Sequence, residues 1–248
     1  MMVSKELIKG YTPPITAELR ARYEEGLSQT MRWEKGLLTP DMPESDLDHV
    51  GGMFEIRDEI AGRFVHIPNE VNFVTVGHMI YIHDGGEVLT SDLSHSHPEY
   101  DILKPRLKRR EIAAFRFMSI NIEDEPTKKL TRELYRRVHE KAPYDKESQF
   151  TDLLDKLQAV RFGLQYVFHG STMKNAERRA IQLNHAIEVL LKPTEAFIKS
   201  LKSPYSKEEA LIFINEELQN FARKGYRSSE ISPYLRRVSS FSINGIHS

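Results

Sequence analysis

His83, Asp84, Glu87 and Asp92 fall within ten positions, in the run His-Asp-Gly-Gly-Glu-Val-Leu-Thr-Ser-Asp. A His-Asp pair at the end of an apolar segment is hard to explain as packing. It suits two adjacent ligands of a metal ion, with two further carboxylates close by for proton transfer. His49 and Asp155 offer another imidazole and another carboxylate. Together His49, His83, Asp84 and Asp155 form a candidate ligand set that leaves coordination positions open to water. Such a nitrogen and oxygen set suits Mn²⁺, Co²⁺, Fe²⁺, Mg²⁺ or Zn²⁺ without choosing among them. Neighbouring helical residues project roughly 100° apart, so His83 and Asp84 would take adjacent corners of one ion. If their helix continues, Glu87 shares a face with His83 at i, i+4. Gly85 and Gly86 either make room for a substrate or end that helix.

Each of these residues has a plainer reading when taken alone. A single histidine is most often hydrogen-bonded or at the surface, and an aspartate on an amphipathic helix is usually solvated. Glu87 and Asp92 could be helix-end carboxylates facing water. It is the joint order and spacing that favour a shared cation.

The elements that must position these groups read as helices. Thr16 can cap a helix with Leu19, Tyr23 and Leu27 on one stripe. Ser45, with Asp48 three positions on, forms a capping box for a helix that buries Leu47, Val50, Met53 or Phe54, and Ile60. Gly62 and Pro68 separate it from residues 71–84, which are apolar on nearly all sides. That segment reads as a central helix in preference to a buried strand, with Phe73 and Tyr81 in the core. Loop signals fill 85–105, through Pro98 and Pro105. Helices are expected near 107–121 and 127–141, at 148–169 up to Gly170, and from Met173 to Leu191 before Pro193. Ser206-Lys-Glu-Glu209 reads as a capping box for a last helix ending at Gly225, followed by a serine-rich tail.

The chain has 248 residues, enough for one sizeable core. With 35 Lys and Arg against 36 Asp and Glu, it lacks the basic excess of a general nucleic-acid binder. Lys104, Arg106, Lys108, Arg109 and Arg110 cluster, but no aromatic residues interleave with them, so no nucleic-acid platform is expected. There is no cysteine, which removes disulfides and thiolate chemistry. No leader-like apolar core opens the chain, and no segment is long enough to span a bilayer, so a cytoplasmic protein without membrane contact is expected. No glycine-rich phosphate loop is present.

The order His49, then His83-Asp84, then Asp155 resembles that of the HD-domain phosphohydrolases. The run His83 to Asp92 is similar to the motif of the YfbR-type 5′-deoxynucleotidases, in which Glu-Val-Leu-Thr is followed one residue later by Asp-Leu. Met31-Arg32-Trp33 resembles that family's Arg-Trp signature. Glu44-Ser-Asp-Leu-Asp-His49 resembles its acidic lead-in to the first metal histidine, and Leu154-Asp155-Lys-Leu its last ligand motif. The spacings agree in scale, 34 residues from His49 to His83 and 71 from Asp84 to Asp155. The likeness covers roughly residues 15–201. Gly85-Gly86 and Gly51-Gly52 depart from it.

The resemblance implies an all-α HD-domain helical bundle over residues 1–201; residues 202–248 lie outside it and read as a C-terminal helical extension and serine-rich tail, to which no role carries over. It implies one divalent metal ion on His49, His83, Asp84 and Asp155, and hydrolysis of (deoxy)nucleoside 5′-monophosphates to nucleoside and phosphate. Glu87 and Asp92 would be the catalytic carboxylates, one orienting the attacking water and the other protonating the leaving oxygen or holding the sugar. Arg32 would grip the phosphate, and Trp33 would press on the sugar and disfavour a ribose 2′-hydroxyl. A homodimer is implied. His95 and His97 either belong to a lid or bind a second ion. The alternatives are another HD activity (dNTP triphosphohydrolase, (p)ppGpp or cyclic-nucleotide hydrolysis) and a catalytically silent helical interaction module.

Overall fold

The computed structural model describes residues 15–30, 44–90, 99–162 and 176–223. Among these residues all regular secondary structure is helical, with no strand. Two compact units form, one from Met1–Glu55 with Gly77–Glu140 and the other from Ile56–Val76 with Lys141–Ser248.

The first unit contains α1 (Ala17–Gln29), the start of α2 (Asp46–Arg63) and the end of α4 (Phe73–Ile82). It also contains α5 (Glu87–Thr90), α6 (Tyr100–Met118), a short 3₁₀ turn (Ser119–Asn121) and α7 (Glu125–Glu140). Local chemistry sets several of these boundaries. The Leu19 amide donates to Thr16 Oγ1 at 3.3 Å, which fixes the start of α1. At α2 the Asp48 amide donates to Ser45 Oγ at 3.1 Å, and the Ser45 hydroxyl donates to Asp48 Oδ2 at 2.7 Å. This reciprocal box is the one expected from the sequence. Leu47, Val50, Met53, Phe54 and Ile60 are all buried, also as expected.

Residues 73–82 are helical, and Val76, Met79, Ile80 and Tyr81 are buried. The apolar coat is incomplete, because Val74 is 69% exposed. The helix then stops at Ile82. Residues 83–86 form a turn, in which the Gly85 amide donates to Ile82 O and the Glu87 amide to Asp84 O, each at 2.9 Å. His83 and Asp84 therefore sit in a turn and not on a helix, and Glu87 opens α5 on its own account.

The two glycines explain this turn. A Cβ on Gly85 would lie 2.8 Å from the Phe115 ring and 2.9 Å from the Tyr23 hydroxyl. A Cβ on Gly86 would lie 2.5 Å from the Glu111 carbonyl oxygen and 2.6 Å from the Tyr135 hydroxyl. They are present because α6, α7 and α1 approach too closely for any side chain.

The second unit contains the rest of α2, α3 (His66–Glu70), the start of α4, α8 (Lys146–Phe162), α9 (Ala176–Ser200) and α10 (Pro204–Arg223). Phe150 is its anchor, 5.5 Å from Phe73 and 4.7 Å from Phe197 between ring centroids. The Arg161 guanidinium grips Glu217 with two bonds of 2.8 and 2.7 Å and reaches Glu59 at 3.0 Å. Such a planar fork on a buried carboxylate fixes both partners.

Two prolines lie inside helices where the sequence suggested boundaries. Pro105 is within α6, so α6 starts at Tyr100 and not near 107. Pro193 is within α9, which runs on to Ser200. There the Thr194 hydroxyl donates to the Leu190 carbonyl at 2.8 Å, and burial of Leu190, Leu191, Phe197 and Ile198 holds both halves in line. Tertiary packing has outweighed the proline penalty.

The capping box expected at Ser206 is also displaced. α10 begins at Pro204, with Ser203 Oγ accepting from the Ser206 amide at 3.4 Å, so proline occupies its favoured first-turn position. Glu209 is instead a cap for α3. Its carboxylate accepts from the amides of Val65, His66 and Ile67 at 2.8–3.1 Å. In return, Glu70 accepts from the amides of Lys202 and Ser203 just before α10.

Desolvation raises the Glu209 pKa, but these backbone donors outweigh it and leave the carboxyl below its ordinary 4.5. A carboxylate depressed in the folded state stabilises above its unfolded pKa, and that contribution is lost as pH falls through the folded value. Glu209→Gln is therefore expected to cost about 1 kcal/mol near neutral pH, by analogy with other lost caps. Urea unfolding should show this deficit shrinking below pH 4.5. A deficit that stays constant down to pH 2 would contradict the assignment.

Candidate metal and phosphate site

The first unit gathers two histidines and three carboxylates. Asp46 and His49 stand three residues apart in the first turn of α2, hence on one face, and both are fully buried. The Ser45–Asp48 box and a bond from the Asp46 amide to Thr30 O at 2.9 Å fix that turn. His83 follows the end of α4 and is also buried. The His49 and His83 rings lie 5.4 Å apart, tilted by 45°.

His83 Nδ1 lies 2.7 Å from the Ile80 carbonyl oxygen. A carbonyl only accepts, so Nδ1 carries the proton in this contact. In the neutral ring Nε2 is then a lone pair, and it faces Asp84 Oδ2 at 2.9 Å. Two acceptors at that distance need positive charge on or beside them, a proton or a cation. Backbone anchoring of one imidazole nitrogen is also how metal-binding histidines are commonly oriented.

Asp46, Asp84 and Glu87 each offer a carboxylate oxygen, and these oxygens lie within 4.8 Å of one another. Crowded acids, one of them fully buried, are costly unless protons or a cation offset them. Tyr23 and Tyr135 flank the group. Burial, then Tyr81 and Asp84, pushes the Tyr23 hydroxyl well above its usual range. Burial, then Glu111 and Asp84, does the same to Tyr135, whose hydroxyl accepts the Gly86 amide. Both phenols therefore stay neutral.

Of the residues expected from the sequence, His49, His83, Asp84 and Glu87 come together in this unit. Asp155 lies on α8 in the second unit, half-buried, with its Oδ2 2.6 Å from Lys156 Nζ. Arg32, Trp33, Asp92, His95 and His97 lie outside the described residues. Asp46 was not anticipated. Its one sequence signal is its spacing of three from His49 within the acidic lead-in 44–49. The basic residues 104–110 form part of α6, where Lys108 Nζ donates to the His139 carbonyl at 3.2 Å. Among the described residues no helix is long and apolar enough to cross a membrane. Compared with models of known protein families the chain matches none, and no curated protein matches it.

Proposed function

We propose that this chain is a divalent-metal-dependent phosphomonoesterase acting on (deoxy)nucleoside 5′-monophosphates. The reading rests on the His83–Asp84 turn, where an anchored imidazole presents Nε2 to a carboxylate oxygen at 2.9 Å beside His49 and two further acids. That donor set fits a divalent ion of the first transition row, or Mg²⁺. His49, His83 and Asp84 would hold it, and Asp155 keeps the ligand role that the sequence resemblance implies. When bound, the ion supplies charge against phosphoryl oxygens and makes water acidic near neutral pH.

The chain's own groups do the remaining work. Arg32 clamps phosphate oxygens with its planar fork. Glu87 and Asp92 divide the proton handling between the water and the departing 5′-oxygen. Asp46 adds negative charge that strengthens cation binding. Trp33 limits space at the sugar and favours deoxyribose. The 83–86 turn, held by the Gly86 amide on Tyr135, keeps His83 and Asp84 in place before substrate arrives.

The test is a product screen. Protein supplied with Mn²⁺ or Co²⁺ is expected to release inorganic phosphate from deoxynucleoside monophosphates and to stop when EDTA is added. Release of triphosphate, pyrophosphate or a linear nucleotide from other substrates would assign a different hydrolase activity. No divalent-ion uptake together with no turnover of any nucleotide would leave only a silent helical module.

A further inference from the structure

The unit formed by Met1–Glu55 and Gly77–Glu140 contains a cavity of about 250 Å³, and none of Asp46, His49, His83, Asp84 or Glu87 lines it. Leu19, Ile82, Val88, Phe115, Ile122 and Leu134 stand on its wall. Leu89 and Leu130 also line it and are 53% and 48% exposed, so the cavity opens to solvent past them. Protein interiors carry few voids larger than a water molecule. An apolar void of roughly 150 Å³ is already enough to take benzene.

The polar groups on the wall indicate what would fit. The Tyr23 hydroxyl donates to the Tyr81 carbonyl at 2.8 Å. Ser119 Oγ donates to the Arg116 carbonyl at 2.8 Å and accepts from Arg132 Nε at 2.7 Å. Arg22 is paired with Glu18 at 2.7 Å. His78, Asn121 and Thr131 also stand on the wall, but most of the lining is apolar. A nucleobase would bury much of its edge of donors and acceptors against that apolar surface and leave it unsatisfied. An alkyl chain makes no such demand and gains from every methylene it buries.

We propose that this cavity binds the hydrocarbon part of a small amphiphile, a chain of about eight carbons, larger than the benzene held by the smaller void, with its polar head at the open mouth. The site is independent of the nucleotidase reading, and its test uses no turnover. Thermal unfolding of the full chain with 1-octanol is expected to rise by about 3 °C at saturation. 1-Butanol at the same concentration should give less. Leu89→Trp and Leu130→Trp place an indole in the mouth, and each should remove the octanol response; if one fails to fold, the other carries the comparison. On the unaltered protein, NMR contacts should appear between the octanol terminal methyl and the Ile122 methyls. No rise in melting temperature, a rise that survives in the folded mouth variants, or absent Ile122 contacts would overturn the proposal. A melting temperature that follows protein concentration and ignores octanol would assign the cavity to a second copy of the chain, and would also overturn it.

Discussion

Asp84→Asn should lower kcat/KM for phosphate release from deoxynucleoside monophosphates on the order of 10³-fold, equivalent to about 4 kcal/mol at 1.36 kcal/mol per tenfold. The side chain keeps its size but loses its charge. Its amide N–H can also donate to His83 Nε2, across the contact that is now 2.9 Å from Asp84 Oδ2. That bond would tie up the lone pair a cation needs. The same change removes one of three carboxylates whose oxygens lie within 4.8 Å. Without added ion, the variant should therefore unfold at the same temperature as the parent or higher. The parent, but not the variant, should gain stability when Mn²⁺ is added, because binding to the native state alone shifts unfolding. Turnover close to the parental rate in Asp84→Asn, with the ion-dependent stabilisation intact, would remove Asp84 from the site.

Gly86→Ala should be strongly destabilising for a single-methyl change. The new Cβ would meet the Glu111 backbone oxygen at 2.5 Å, the Tyr135 hydroxyl at 2.6 Å and the Glu111 Cβ at 2.7 Å. The backbone oxygen belongs to α6 and cannot rotate aside, so helix or turn must shift. Overpacking of this kind costs about 3 kcal/mol, which for a chain of this size lowers the melting temperature by about 10 °C. Gly85→Ala meets a ring and a hydroxyl at 2.8–2.9 Å, slightly longer contacts made by side chains and not by backbone, and should cost less. Gly62→Ala is the matched control. Nothing lies within 4 Å of its Cβ, it sits in α2, and it should gain up to about 1 kcal/mol. If calorimetry finds Gly86→Ala no worse than Gly62→Ala, the close approach of α6 to the turn is wrong.

These glycines mark how far sequence reading reaches. The caps at Thr16 and Ser45 were legible because their partners lie three residues away. The helical character of 73–82 followed from length and apolar content. What approaches Gly86 was not legible, since Glu111 and Tyr135 come from helices 25 and 49 positions downstream. The glycine pair fitted either a helix stop or an open floor, and crowding, not openness, is the outcome. Pro105 and Pro193 misled for a related reason. The rule that proline ends helices is local, whereas the burial that carries α9 past Pro193 is tertiary. At the candidate site, His49, His83, Asp84 and Glu87 were visible as residue types in order. Asp46 was hidden because it reads as an ordinary acid in a helix start until α2 is seen to bury it.

Glu209 makes the amides of Val65 to Ile67 dependent on a residue 142–144 positions later in the chain. During synthesis those donors must stay hydrated until the far carboxylate leaves the ribosome. The short helix after Arg63 thus gains its cap only once the far end of its unit has been made, although it is translated early. A polypeptide released before Glu209 would carry that stretch uncapped, so late termination would be felt near residue 66, far from the truncated end.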